Sequence, residues 1–178
     1  YQALLDRMPT QTKKRISIVG AGPAGLSAAF YLRRLGHEVT VYDEHRKAGG
    51  VLRYGIPNYR LPKEVLEKEL ELFSTLGVNF ALGKALGRDV QLAALQADSD
   101  AVILALGSYH HATLDLQGSE GPGYLQGTEV LRLLSEGQEA DVGSRVVILG
   151  GGNVAIDVAR SLWRLGCQVT VAYRRGRD

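Results

Sequence analysis

Residues 15–25 read RISIVGAGPAG. A short β-rich run (Arg15–Val19) passes straight into a Gly-x-Gly-x-x-Gly turn at Gly20, Gly22 and Gly25. Residues 26–35 then have the pattern of a helix, stopped by Gly36, and residues 39–42 (VTVY) read as the next strand. Strand, glycine turn, helix and strand within about thirty residues make one βαβ unit.

A glycine fingerprint alone is weak evidence. Here it lies between a strand and a helix, the context that gives it meaning. Gly20 permits the tight turn, Gly22 lets the backbone approach a pyrophosphate, and Gly25 lets the helix pack closely on the strand. Ala21 and Ala24 complete the loop, and Pro23 suits a first helical turn, where its missing N–H costs nothing. The free N–H groups and the helix dipole there favour a phosphate. The acid expected about 20 residues further on is Asp43, whose carboxylate would accept the ribose hydroxyls of an unphosphorylated adenosine; Glu44 is the second candidate.

The unit recurs. A shift of 130 residues lays Gly150 on Gly20, Gly152 on Gly22 and Arg145 on Arg15 without a gap. The same shift lays Leu165-Gly166 on Leu35-Gly36 and residues 169–171 on residues 39–41, both reading VTV. Because glycines recur as well as apolar positions, the copy predicts a second nucleotide site. Its loop is Gly150-Gly151-Gly152-Asn153-Val154-Ala155, with alanine in place of the third glycine. Where the first copy has Glu44, the second has Arg174, followed by Arg175. An acid there repels a 2′-phosphate, whereas two arginines bind it by charge and paired planar donors, so the second site should prefer NADPH to NADH.

Around these units, residues 44–62 read as irregular and residues 63–76 as an amphipathic helix with Val65, Leu66, Leu70 and Phe73 on one face. Residues 78–82 are a predicted strand, residues 88–97 a short helix, and residues 100–106 (DAVILAL) a buried parallel strand. A loop at 108–123 suggests a boundary, giving a linker at 1–13, a first nucleotide-binding domain at 14–112 and a second, incomplete one at 113–178. Helix is expected at 127–135 and 154–165, and strand at 145–149 and 168–173.

The net charge of +2 gives no reason to expect nucleic acid or a membrane surface as partner. No apolar run approaches the roughly 18 residues of a membrane span. The first residues show no apolar core with a cleavage site, and a chain opening on Tyr1 is expected to be a piece of a longer one. The single cysteine, Cys167, cannot form an internal disulfide or hold an iron–sulfur cluster, and fits a reducing, cytoplasmic setting. His110 and His111 are too few for a metal site, and Asp157 receives no role.

The runs GAGPAGL (20–26), VTVYDEHRKAGGVLRYGIP (39–57), YRLPKEV (59–65), VVILGGGNVAIDVAR (146–160) and VAYRR (171–175) together resemble the glutamate synthase small subunit family. Relatives of that family include the NADPH-handling segment of dihydropyrimidine dehydrogenase and several iron–sulfur-linked oxidoreductases. The resemblance runs from about residue 14 to the end. It implies an α/β fold of two Rossmann-like βαβ units of the FAD/NAD(P)-binding two-domain type. It implies an FAD site at residues 20–24, at residues 43–51 (including Gly49, Gly50 and Val51), at Arg60 on the flavin side, and at Leu86. It implies an NADPH site at Gly151, Gly152, Asn153 and Val154 with Arg174 and Arg175, and a crossing between domains at Ala105-Leu106-Gly107. Members of the family continue further and return to the flavin with a Gly-Asp motif, so an incomplete active site is expected of this stretch.

The implied function is an oxidoreductase module passing a hydride from NADPH to FAD and on to iron–sulfur clusters or a partner subunit. Such a transfer needs no side-chain nucleophile, so no catalytic residue is expected. The segment at Gly49-Gly50 lacks paired cysteines, which disfavours thiol–disulfide chemistry. The alternatives are an FAD-dependent oxidase or hydroxylase, which leaves the second copy idle, and an inactive nucleotide-binding fragment.

Overall fold

The computed structural model describes residues 11–108, 117–119 and 121–174. The chain divides into two units, Tyr1–Arg53 with Pro62–Ser108, and Tyr54–Leu61 with Tyr109–Asp178.

The first unit is built on β1 (Arg15–Val19), α1 (Pro23–Arg34), β2 (Glu38–Asp43), α2 (Val51–Tyr54, whose last residue falls in the second unit), α3 (Lys63–Thr75), β3 (Asn79–Leu82), α4 (Leu92–Asp98) and β4 (Ala101–Leu104). Its four strands are parallel, in the order β3-β2-β1-β4. β1 lies inside the sheet, and Ile16, Ser17, Ile18 and Val19 are all buried, which is why its apolar run is continuous instead of alternating. The core gathers Ile16, Ile18, Ala29, Val39, Val41 and Val78. Arg33 ties two element ends into it, donating to Leu76 O (2.8 Å) through Nε and to His37 O (2.6 Å) through Nη1.

Four expectations need correction here. A one-turn helix, α2, stands inside the stretch that reads as irregular. Val65 is half exposed in the first turn of α3, and Leu72 and Leu76 supply the buried contacts instead. The helix expected from residue 88 begins at Leu92, because Asp89 accepts the Ala85 N–H (2.9 Å) and pairs with Arg88, drawing 85–90 into a turn. The run at 100–106 yields strand only over Ala101–Leu104 (β4), which pairs in parallel with β1.

The second unit carries α5 (Gly127–Ser135), β5 (Arg145–Leu149), α6 (Asn153–Arg164) and β6 (Gln168–Ala172). β5 and β6 pair in parallel with Arg145 opposite Gln168, as Arg15 stands opposite Glu38 in the first unit. The sequence repeat therefore holds down to the hydrogen-bond register. Val146, Ile148 and Val169 pack against Val130, Leu131, Val158 and Leu162 of the two helices. Val147, on the other face of β5, is 63% exposed, so this strand alternates where β1 does not.

Candidate functional site

In the first unit the strand-to-helix turn is closed by crowding. Gly20 has φ +113°, and a Cβ built there would lie 2.1 Å from Ala105 O. A Cβ on Gly25 would lie 1.8 Å from Gly20 O, so only glycine lets α1 begin this close to the turn. Ala21 is fastened at both polar atoms: its N–H donates to Asp43 Oδ2 (2.7 Å), and its carbonyl accepts the Gly49 N–H (2.8 Å). Gly50 completes the cluster, since a Cβ on it would come within 2.6 Å of Gly22 Cα. The structure thus brings together residues 20–25, Asp43, Gly49 and Gly50. Val51 opens α2 with its side chain exposed, Glu44 is exposed, and Leu86 is half-buried in a bridge with Val90.

Asp43 already has protein partners. Oδ1 accepts the His45 N–H (2.8 Å) and meets His45 Nδ1 (3.0 Å), while Oδ2 accepts Ala21 N–H. Burial pushes the Asp43 carboxyl up. The hydrogen bonds from the His45 ring, Ala21 N–H and His45 N–H, with the His45 charge, outweigh burial and hold it below its ordinary value of 3.8. A carboxylate oxygen offers two lone-pair directions, so Oδ2 retains accepting capacity for a hydroxyl.

Sequence reasoning missed what holds the Gly49-Gly50 segment in place. Arg53 is buried, donating from Nε to Ala48 O (2.6 Å) and from Nη1 to Glu67 Oε1 (2.8 Å). The Arg53 hydrogen bond holds the Glu67 carboxyl below its usual range, against a smaller effect of burial. Lys63 Nζ caps Leu52 O (2.9 Å), and burial, helped by the Arg53 charge, lowers its pKa. Only its fixed carbonyl and carboxylate partners reveal that this arginine, Arg53, is buried.

The second loop repeats the turn. Gly150 has φ +118° and donates to Ala172 O (2.9 Å), as Gly20 donates to Tyr42 O (2.7 Å). A Cβ on Gly150 would meet only Ala155 Cβ, at 3.7 Å, and a Cβ on Gly152 would meet nothing within 4 Å. Gly151 lies under the Tyr173 ring, whose carbons would be 3.0–3.1 Å from an added Cβ. Asn153 and Val154 open α6, with Val154 exposed. Arg174 is exposed at the end of the unit, while Arg175 lies outside the described residues, as do His110 and His111.

The two loops share an electrostatic feature. Each helix has an extended glycine at its N-cap (Gly22, Gly152), no side-chain cap and no acid in its first turn. By contrast, α3 and α5 carry Glu64 and Glu129 there. First-turn amides without a side-chain acceptor, beside an uncompensated positive dipole end, fit a phosphate group. The open space over Gly152 leaves room for one at the second loop.

Asp157, which the sequence left without a role, is an anchor. Its carboxylate, 6% exposed, accepts from Arg60 Nη1 (2.5 Å). Its carbonyl accepts from Tyr59 Oη (3.2 Å), and Arg160 and Arg164 lie 4.6 and 4.3 Å from the Tyr59 ring centre. Segment Tyr54–Leu61 accordingly belongs to the second unit, and the Arg60 guanidinium, expected on the flavin side, is engaged by α6.

A profile of the family described as pyridine nucleotide-disulphide oxidoreductase matches residues 14–177. The glutamate synthase [NADPH] small chain of Escherichia coli (strain K12) is 40% identical over 180 residues, covering 94% of this chain and 38% of that protein. The NADP(+)-dependent formate dehydrogenase subunit beta of Moorella thermoacetica is 42% identical, with 92% and 24% covered. Among solved structures, Mycobacterium tuberculosis FprA in complex with NADPH matches with a TM-score of 0.79 at 26% identity, over 92% of this chain and 44% of that one. The chain therefore spans less than half the length of each of these relatives. Among the described residues, no helix is long and apolar enough to cross a membrane.

Proposed function

This chain belongs to the pyridine nucleotide-disulphide oxidoreductase family, and from that premise we propose that it is the NADPH-to-FAD input segment of a flavin-dependent oxidoreductase serving an iron–sulfur domain or partner subunit. The carrying observation is a pair of βαβ units, matched in register, whose second strands end in opposite chemistry: Asp43-Glu44 in one and Tyr173-Arg174 in the other. An acid suits the free ribose hydroxyls of FAD, and an arginine suits the 2′-phosphate of NADPH.

In this reading, residues 20–25 with Gly49 and Gly50 take the FAD pyrophosphate, and Asp43 Oδ2 takes a ribose hydroxyl. The amides opening α6 take the NADPH pyrophosphate, and Arg174 with Arg175 takes the 2′-phosphate. Bound FAD, held by residues 20–25, Asp43, Gly49 and Gly50, would supply the redox chemistry that links two-electron oxidation of NADPH to single-electron delivery into an iron–sulfur centre. The chain's own residues bind and orient. With one cysteine, Cys167, it contains no cysteine pair for the disulfide chemistry in its family's name. The free thiol and the use of NADPH suit a reducing, cytoplasmic setting.

Two measurements on the full-length protein test this reading. Nucleotide released by denaturation is identified chromatographically, and the native protein is then mixed anaerobically with NADPH and no other substrate. One FAD per chain and rapid bleaching of the flavin are expected. Absence of FAD, or bleaching only after an organic substrate is added, would overturn the proposal.

A further inference from the structure

The same shift that superimposes the loops places Tyr173 on Asp43, each just beyond a matched ladder pair, Val19 opposite Tyr42 and Leu149 opposite Ala172. Both residues reach the second position of their loop. Asp43 does so by accepting the Ala21 N–H at 2.7 Å. Tyr173 does so by laying its ring over Gly151, where an added Cβ would stand 3.0–3.1 Å from ring carbons, tighter than an ordinary contact. One position thus fastens the loop in both units, by a charged acceptor in the first and by a neutral ring in the second.

That difference matters beside Arg174. A carboxylate at 173 would neutralise the adjacent guanidinium and repel a 2′-phosphate, whereas a ring seats the loop without adding negative charge. Resting on the NADPH reading above, we propose that Tyr173 is a specificity-determining residue of the second nucleotide site, fastening the loop where Asp43 fastens the first while keeping the 2′-phosphate position free of acid. Gly151 is then glycine because of the ring, and the nucleotide approaches at Gly152, where an added Cβ meets open space.

Affinities for NADP+ and NAD+, measured calorimetrically on the full-length protein and its variants, test this, with bound FAD content confirming that each variant is folded. Tyr173→Asp is expected to lower the NADP+/NAD+ affinity ratio about tenfold or more, mainly through weaker NADP+ binding, and Tyr173→Phe to preserve it. Gly151→Ala should weaken NADP+ binding in the native background and do so much less beside Tyr173→Ala, because the obstructing ring is gone. An unchanged ratio in Tyr173→Asp, or a Gly151→Ala penalty equal in both backgrounds, would overturn the proposal. If the unaltered protein binds NADP+ and NAD+ alike, the NADPH reading itself fails, and that failure is visible before any variant is made.

Discussion

At position 25 the first loop carries glycine, and at the matched position 155 the second carries alanine. The strands, register and turn angles agree, yet one site excludes a Cβ at 1.8 Å and the other already holds one, 3.7 Å from where a Cβ on Gly150 would stand. In the first unit α1 presses on its own turn, and Asp43, Gly49 and Gly50 close around it. In the second, Ala155 fills the matched place, and Arg60 holds α6 through Asp157; the matched residue on α1 is Ser27, which is exposed. The glycine pattern thus specifies the turn, while the way the helix is secured to it is chosen separately in each copy.

The largest expected effect breaks the first arrangement. Gly25→Ala forces backbone apart and should cost about 3 kcal/mol or more in thermal unfolding, with loss of bound FAD. The reciprocal Ala155→Gly should cost no more than about 1 kcal/mol, the ordinary helix penalty of glycine. Similar costs for the two would erase the distinction drawn between the loops.

Next in size is the anchor on α6. Arg60→Ala strands the buried Asp157 carboxylate, and because Arg60 is 41% exposed the loss should be about 2 kcal/mol, below that of a fully buried pair. Ser27→Ala, at the matched place, should stay within about 0.5 kcal/mol by urea unfolding. A neutral Arg60→Ala would show that α6 is held some other way.

Of the three changes that break a contact, Asp43→Asn should have the smallest effect, about 1 kcal/mol, since an amide still accepts one of the two backbone N–H groups. Its sign with pH is fixed. The folded Asp43 pKa lies below its usual 3.8, so the folded protein binds fewer protons than the unfolded chain as pH falls through that region. Its contribution is present above the unfolded value and is lost on acidification through the folded one. Urea midpoints of the native and Asp43→Asn proteins should differ near neutral pH and converge as the pH falls through the folded Asp43 pKa, which lies below 3.8; a constant gap would contradict the assignment of the shift to Asp43.

The sequence made much of this legible. The 130-residue repeat predicted both βαβ units, and the observed strand register follows it residue for residue. The fingerprint also led directly to the convergence of Gly20, Gly22, Gly25 and Asp43. What escaped depended on partners distant in the chain or on local competition. Periodicity could not show that Asp89 would divert the start of α4 into a turn. The roles of Arg53 and Asp157 stayed hidden because their partners, Glu67 and Arg60, lie 14 and 97 residues away. Tyr173 was within reach, since the repeat sets it on Asp43, but only the ring lying over Gly151 shows what the exchange does.

The central claim is that matched loops hold adenosines of different phosphorylation, sorted by the residues that end the second strand of each unit. The most direct test is the ratio of kcat/KM for NADPH and NADH in anaerobic flavin reduction, measured on the full-length protein and on Arg174→Glu. The account predicts a native preference for NADPH of about tenfold or more that Arg174→Glu abolishes while FAD stays bound. Equal use of the two nucleotides by the native protein, or an unchanged ratio in Arg174→Glu, would contradict it.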